Sequence, residues 1–378
     1  MKPAFQFERR GCVIVLAALI LLAAAWQGRL IERACGRHVD GIVADIRNDG
    51  PNESSLGTLT RNYYEGLFES SRGDDDAARG LIWSCLRPPP APRDNCGTIV
   101  DIGATRPTDD LLEYEFVPHY NGTHKGARLR INQWGMRGPD NAMEKPTGVF
   151  RIAWVGGSND MGTGVEDDDS YVRVIERRLN AELSPRTGLR YEILNFSAGG
   201  YFLVQRTWLA VTRTERFRPD LVIVVSTLHD RGYSVHARLA RRVKRKQDLG
   251  FDFLRRFAAE LKLKPSHAIG RLERRWGRVK NEIIRNCFAE LRGFSQRSGI
   301  DVVVLALRLD AMKRDPWLLW IADEAERQGL GCLRVMDCYD RQAQYDTYLE
   351  AGDFHPSRTA HRLIADEAFG ELSRYLEQ

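Results

Sequence analysis

The chain has 378 residues, 43% of them hydrophobic and 28% charged, and its 56 Lys and Arg against 51 Asp and Glu leave a net charge of +5. That length suits one large domain with appendages, and that composition excludes wholesale disorder. The seven cysteines include no C-x-x-C pair, which excludes a cysteine zinc site as well.

At the amino terminus, Arg9 and Arg10 precede an apolar run from Cys12 to Trp26, bounded by Gln27 and Arg29. The run opens the chain and has no amphipathic face, which marks a membrane segment rather than a core helix. Ala23-Ala24-Ala25 offers a small-residue cleavage site, whereas Leu30 and Ile31 extend the helix; the uncleaved anchor is the favoured reading. Residues 1–38 are therefore expected to form an anchor and juxtamembrane helix, single-pass in a bacterial inner membrane, with the bulky soluble portion in the periplasm.

Residues 39–150 read as an extension with short strands. Asn48-Asp49-Gly50-Pro51 is a run of turn formers, and Asp74 to Arg79 and Pro88 to Pro92 read as exposed loops. Cys85 and Cys96 bracket the Pro-rich loop and suit a disulfide in an oxidising compartment. Cys332 and Cys338 are a second candidate pair, disfavoured because the extended strand between them would hold them apart. Tyr114–Val117 and Ala127–Ile131 alternate as strands do and lead through Asn132-Gln133-Trp134-Gly135-Met136-Arg137-Gly138 to Arg151.

The stretch Arg151 to Val165, RIAWVGGSNDMGTGV, reads as buried strand, tight turn and helix, with Ser158 on the turn. A hydroxyl there projects into the crevice at the carboxyl ends of parallel strands, a good place for a nucleophile. Three other glycine-rich motifs are excluded. No Lys follows Gly162, as a P-loop requires; Asp167 breaks the dinucleotide fingerprint; and Asp160 stands where the last Gly of a lipase elbow belongs.

Beyond Ser158 the expected order is helix 170–182, strand Tyr191–Asn195, helix 203–216, strand Leu221–Ser226, a long helical insert, strand Asp301–Leu307, helix 316–328, strand Leu333–Asp337 and helix 358–376. This alternation implies an α/β domain over 151–378, with a parallel sheet covered by helices on both faces. Leu221–Val225 and Val302–Leu305 are continuously apolar, as doubly covered strands should be. The insert, 231–286, carries 17 Lys and Arg against 5 Asp and Glu between Arg231 and Arg285. Such a patch attracts an anionic polymer or membrane surface; a periplasmic position, and aromatics (Phe251, Phe253, Phe257, Trp276) that fit helix packing better than base stacking, argue against nucleic acid.

A serine nucleophile needs a base, and the base an orienting carboxylate. Gly352-Asp353-Phe354-His355-Pro356 falls between the last strand and the last helix, at the same edge of the sheet as Ser158. Asn195-Phe196-Ser197-Ala198-Gly199-Gly200 and Leu228-His229-Asp230 follow the second and third strands and can supply donors to an oxyanion.

With four strand ends so furnished, the chain resembles the SGNH (GDSL-like) hydrolase family from about Gly126 onward, as a membrane-anchored bacterial member. The resemblance implies a flavodoxin-like three-layer α/β/α fold and ester hydrolysis or acyl transfer through an acyl-serine, with no metal or organic cofactor. By position it makes Ser158 the nucleophile, Asp353 and His355 the acid and base, and Ser158, Gly200 and His229 the oxyanion donors. The sequence departs from the family at Gly157, where the family has Asp, at His229, where it has the oxyanion Asn, and in the spacing of two between Asp353 and His355. The leading expectation is a serine esterase acting on O-acyl esters of an envelope glycan. An O-acyltransferase with the same machinery, and an impaired binding or scaffold protein engaging an anionic polymer, are the alternatives.

Overall fold

A computed structural model describes residues 98–231, 233–309, 316–339, 347–350 and 353–378. The expected anchor and the Cys85–Cys96 pair lie outside the described residues, among which no helix is long and apolar enough to cross a membrane.

Two antiparallel hairpins lead the described chain: β1 (Thr105–Pro107) pairs with β2 (Tyr114–Phe116), and β3 (Asn121–His124) with β4 (Ala127–Arg130). Five parallel strands follow: β5 (Val149–Val155), β6 (Arg190–Asn195), β7 (Leu221–Ser226), β8 (Asp301–Leu307) and β9 (Gly331–Val335). Their spatial order is β6-β5-β7-β8-β9. Counted from β5 this is 2-1-3-4-5, the order of flavodoxin-like doubly wound sheets, which bind ligands where the order reverses. The reversal falls beside β5, whose carboxyl end leads to Ser158. A last hairpin, β10 (Tyr348–Glu350) with β11 (Asp353–Pro356), brings Asp353 and His355.

The helices follow from the apolar pattern. The first is α1 (Ser158–Met161); α2 (Tyr171–Arg178) continues through a π turn at Leu179–Leu183. Next come α3 (Leu203–Arg213), then α4 (Tyr233–Lys244), α5 (Asp252–Glu260) and α6 (Ile269–Trp276) in the insert, and α7 (Lys280–Ser298), α8 (Pro316–Arg327) and α9 (Arg358–Leu376). Because side chains alternate along a strand, Ile152, Trp154, Ile223, Val225, Val303 and Leu305 face one layer. There they are buried against Tyr171, Val172 and Ile175 of α2 and Ile364, Ala368 and Leu372 of α9. Ala153, Val222 and Val304 are equally buried on the other face, which α3, α7 and α8 cover.

The elements from Ser158 onward fall close to where expected, with one correction. The last sheet strand is Gly331–Val335 rather than Leu333–Asp337, because Gly331 and Cys332 pair with Val303 and Val304 of β8. Cys332 and Cys338 are free thiols, as their disfavoured pairing implied, Cys332 being held within that extended strand.

The insert also differs from a uniformly solvated basic face. Arg238 is fully buried, within 3.4 Å of Glu113 and with its guanidinium 5.7 Å from the Tyr114 ring centre. Arg242, 1% exposed, donates to the backbone oxygens of Asp110 (2.9 Å) and Asp248 (2.8 Å). Part of the basic surplus therefore fastens α4 to the β1–β2 hairpin, whereas Arg245, Lys246, Lys262, Lys264, Arg271 and Arg274 are exposed.

Candidate active site

The turn after β5 is shaped by a buried carboxylate. Asp160 accepts from the Gly157 N–H at 2.5 Å and from the Tyr171 hydroxyl; burial pushes its pKa up, against the pull of Arg206. A Cβ at Gly156 would stand 2.2 Å from the Asp160 carboxyl carbon, so only glycine lets the carboxylate fold back. The turn delivers Ser158 as the first residue of α1, 1% exposed, with its Oγ lacking a hydrogen-bond partner.

Arg137, from the lead-in segment, staples the loop beyond. Its guanidinium donates to the carbonyls of Met161 (2.7 Å), Gly162 and Val165 (2.6 Å) and pairs with Asp167 at 2.8 Å. Asn132 makes the turn before it, accepting from the N–H groups of Trp134 (2.9 Å) and Met136 (3.0 Å).

The loop after β6 comes close to the serine: a Cβ on Gly199 would lie 3.9 Å from the Ser158 Cβ. Tyr114 reaches in from β2 to donate to the Gly199 carbonyl, and Tyr201 donates back to the Tyr114 carbonyl. Gly200 adopts φ 77°, a left-handed conformation suited to glycine. After β7, Asp230 accepts from Leu203 N–H (2.8 Å), Thr227 N–H (2.9 Å) and the Ser226 hydroxyl (3.0 Å), and pairs with Arg206 at 3.1 Å. Beside it, burial pushes His229 down to about 4, so the imidazole is neutral at ordinary pH. His355 is near enough to contribute to the field at His229.

His355 lies on β11, the strand against which α1 packs. Its Nδ1 is 2.5 Å from Asp353 Oδ1, which also accepts the His355 backbone N–H at 3.1 Å. Burial lowers the His355 pKa and Asp353 opposes that. Burial alone would raise the Asp353 pKa, but the hydrogen bond from His355 and the nearby Lys125 hold it well below the usual carboxylate range. The short spacing of two is accommodated because residues two apart on the β11 strand lie on the same face. No direct hydrogen bond joins Ser158 Oγ to His355.

Three residues at this site carried no signal in the sequence. Lys125, at the tip of the β3–β4 hairpin, forms an ion pair with Asp353 Oδ2. His124, 2% exposed, has neither ring nitrogen hydrogen-bonded and is pushed down to about 3 by burial, with Lys125 and His355 adding to the shift. His361 accepts the Tyr171 N–H at 3.2 Å and stacks on that ring. Among the described residues no group of three or more His, Cys, Asp or Glu is placed to hold a metal ion.

The molecule is therefore an α/β protein with a doubly wound parallel sheet and a buried serine, with a His–Asp pair on the strand packed beside it. No family model and no curated protein matches the chain. Solved structures similar to it include the psychrotrophic esterase EstA from Pseudoalteromonas sp., at 13% identity over 61% of this chain and 100% of that one, TM-score 0.38. TesA is similar at 14% identity over 59% and 98%, TM-score 0.38. A two-domain esterase active on acetylated mannans is similar at 11% identity over 61% and 50%, TM-score 0.40. The chemistry open to the chain is set by its strand order and by the residues at the strand ends rather than by these likenesses.

Proposed function

We propose that the protein is a serine ester hydrolase working through an acyl-serine. The observation that carries this reading is the buried His355–Asp353 pair, its Nδ1 held at 2.5 Å, on the strand packed against the helix that presents Ser158. With Nδ1 committed to the carboxylate, Nε2 is the nitrogen that takes the proton. Ser158 Oγ attacks the ester carbonyl carbon while its proton passes to His355, a contact that tightens once substrate is bound. The Ser158 and Gly200 N–H groups and the neutral His229 are the proposed oxyanion donors. Collapse of the tetrahedral intermediate breaks the carbon–oxygen bond to the alcohol, which leaves with the proton from His355. Water, deprotonated by His355, then releases the acid and regenerates the serine; an acceptor hydroxyl in place of water gives acyl transfer.

The proposed substrate is an O-acyl ester of an envelope glycan. It is supported by the membrane-segment pattern of Cys12 to Trp26, which suits a site in the periplasm beside the inner membrane, and by the exposed bases of the insert, which suit an anionic polymer. Treatment with a fluorophosphonate should give an adduct on Ser158, located by mass spectrometry and absent in His355→Ala. Ser158→Ala should lose ester cleavage altogether. Equal cleavage by wild type and Ser158→Ala would sink the assignment, and folded protein that takes no label would point to a binding role.

A further inference from the structure

The β3–β4 hairpin turns through Lys125 and Gly126, at φ 50° and 80°, the two left-handed positions of a tight hairpin turn. Asn, Asp or Gly is the ordinary residue at the first of these, and a lysine there gives up about 1 kcal/mol of backbone preference. Its side chain is nevertheless only 14% exposed and ends on Asp353 Oδ2, while His355 uses Oδ1. A strained backbone position, a buried ammonium and a shared carboxylate coincide at one point of the molecule.

We propose that Lys125 is a positioning residue of the active site: it holds Asp353 by the oxygen His355 does not use and offsets the carboxylate's charge, so that the base stays deprotonated in mildly acidic surroundings. The hairpin is on this view part of the site rather than a covering. Among the described residues, Asp353 and Lys125 act electrostatically on His355, and the imidazoles of His124, His229 and His361 lie within electrostatic range of it. Burial holds those three neutral, so of these five groups Asp353 and Lys125 carry the charge. Asp353 favours the imidazolium and Lys125 disfavours it. Removing the ammonium leaves the carboxylate's pull unopposed, so the base protonates at higher pH.

The inference rests on the serine, histidine and aspartate roles proposed above, and the test separates the two. The rate of Ser158 labelling by a fluorophosphonate is followed from pH 5 to 9 in wild type, Lys125→Gln, Lys125→Met and Lys125→Arg. The neutral variants should move the acidic limb to higher pH, so that their deficit against wild type is on the order of tenfold larger at pH 6 than at pH 9. Lys125→Arg, which keeps the charge, should keep the wild-type limb. A limb unmoved in Lys125→Gln or Lys125→Met, or moved equally in Lys125→Arg, overturns the role of the cation. So does loss of folding in both neutral variants with normal folding in Lys125→Arg, which would make the ion pair structural. Absence of wild-type labelling at every pH overturns the triad reading instead.

Discussion

Beyond Ser158 and the His355–Asp353 pair, His229 is the residue on which the proposed rate should depend most. Its backbone N–H donates to Thr227 Oγ1 at 3.3 Å, which fixes the chain at the carboxyl end of β7, and Asp230 beside it is fully occupied with backbone groups and Arg206. A neutral imidazole carries one N–H to donate, where an asparagine amide would carry two. If His229 is the third oxyanion donor, His229→Ala should lower kcat on an aryl acetate by about 10²- to 10³-fold with little change in KM. His229→Asn should recover most of that loss, and an unchanged kcat in His229→Ala would remove the residue from the site. Because His229 titrates at about 4, it should add no limb to the pH profile above pH 5. Another of the departures, Gly157, has a local reason: a side chain there would begin 2.5 Å from Arg206 Nη2, whose charge Asp230 already answers.

The loop from Met161 to Val165 keeps its shape through Arg137. Replacing that arginine removes donors from four carbonyls, those of Met161, Gly162 and Val165 and that of Arg128, and leaves Asp167 without a buried partner. Arg137→Met should therefore cost about 3 kcal/mol of stability in denaturant unfolding and lower activity with it; a loss below about 0.5 kcal/mol would show that the loop holds itself. The sheet could be read from the sequence because Leu221–Val225 and Val302–Leu305 are apolar without interruption, and the place of Ser158 on the turn after β5 because Arg151–Val165 reads as strand, turn and helix. Only one strand of each leading hairpin could be read: Tyr114–Val117 and Ala127–Ile131 alternate and become β2 and β4, whereas Asn121-Gly122-Thr123-His124 has no apolar alternation, and Asp353–Pro356 becomes a strand only by pairing with Tyr348–Glu350. The same limit applies to Lys125, whose partner is 228 residues away, and to Arg238 and Arg242, counted from sequence as surface charge but buried by tertiary packing.

Over the whole molecule, buried histidines couple stability to pH. Burial pushes His124 and His361 down to about 3, and His229 and His236 to about 4, whereas in the unfolded chain each takes a proton near pH 6.5. Below that pH the unfolded state binds more protons, so stability is complete above about 6.5 and declines as pH falls toward 4, by up to about 1.4 kcal/mol per pH unit for each histidine. Denaturant midpoints should drop between pH 7.5 and pH 5; a constant midpoint would mean that these rings are hydrated in the native state.

The Lys125–Asp353 pair closes a loop of 228 residues, and the Tyr171–His361 bond one of 190. A chain emerging from the ribosome in order carries Ser158 long before His355, and the strand and helix that supply His355 and His361 are made after the rest of the sheet. On the roles proposed above, the serine would stay inert throughout synthesis and gain its base only on final docking, so that newly made protein would modify neither itself nor its surroundings until it is fully folded.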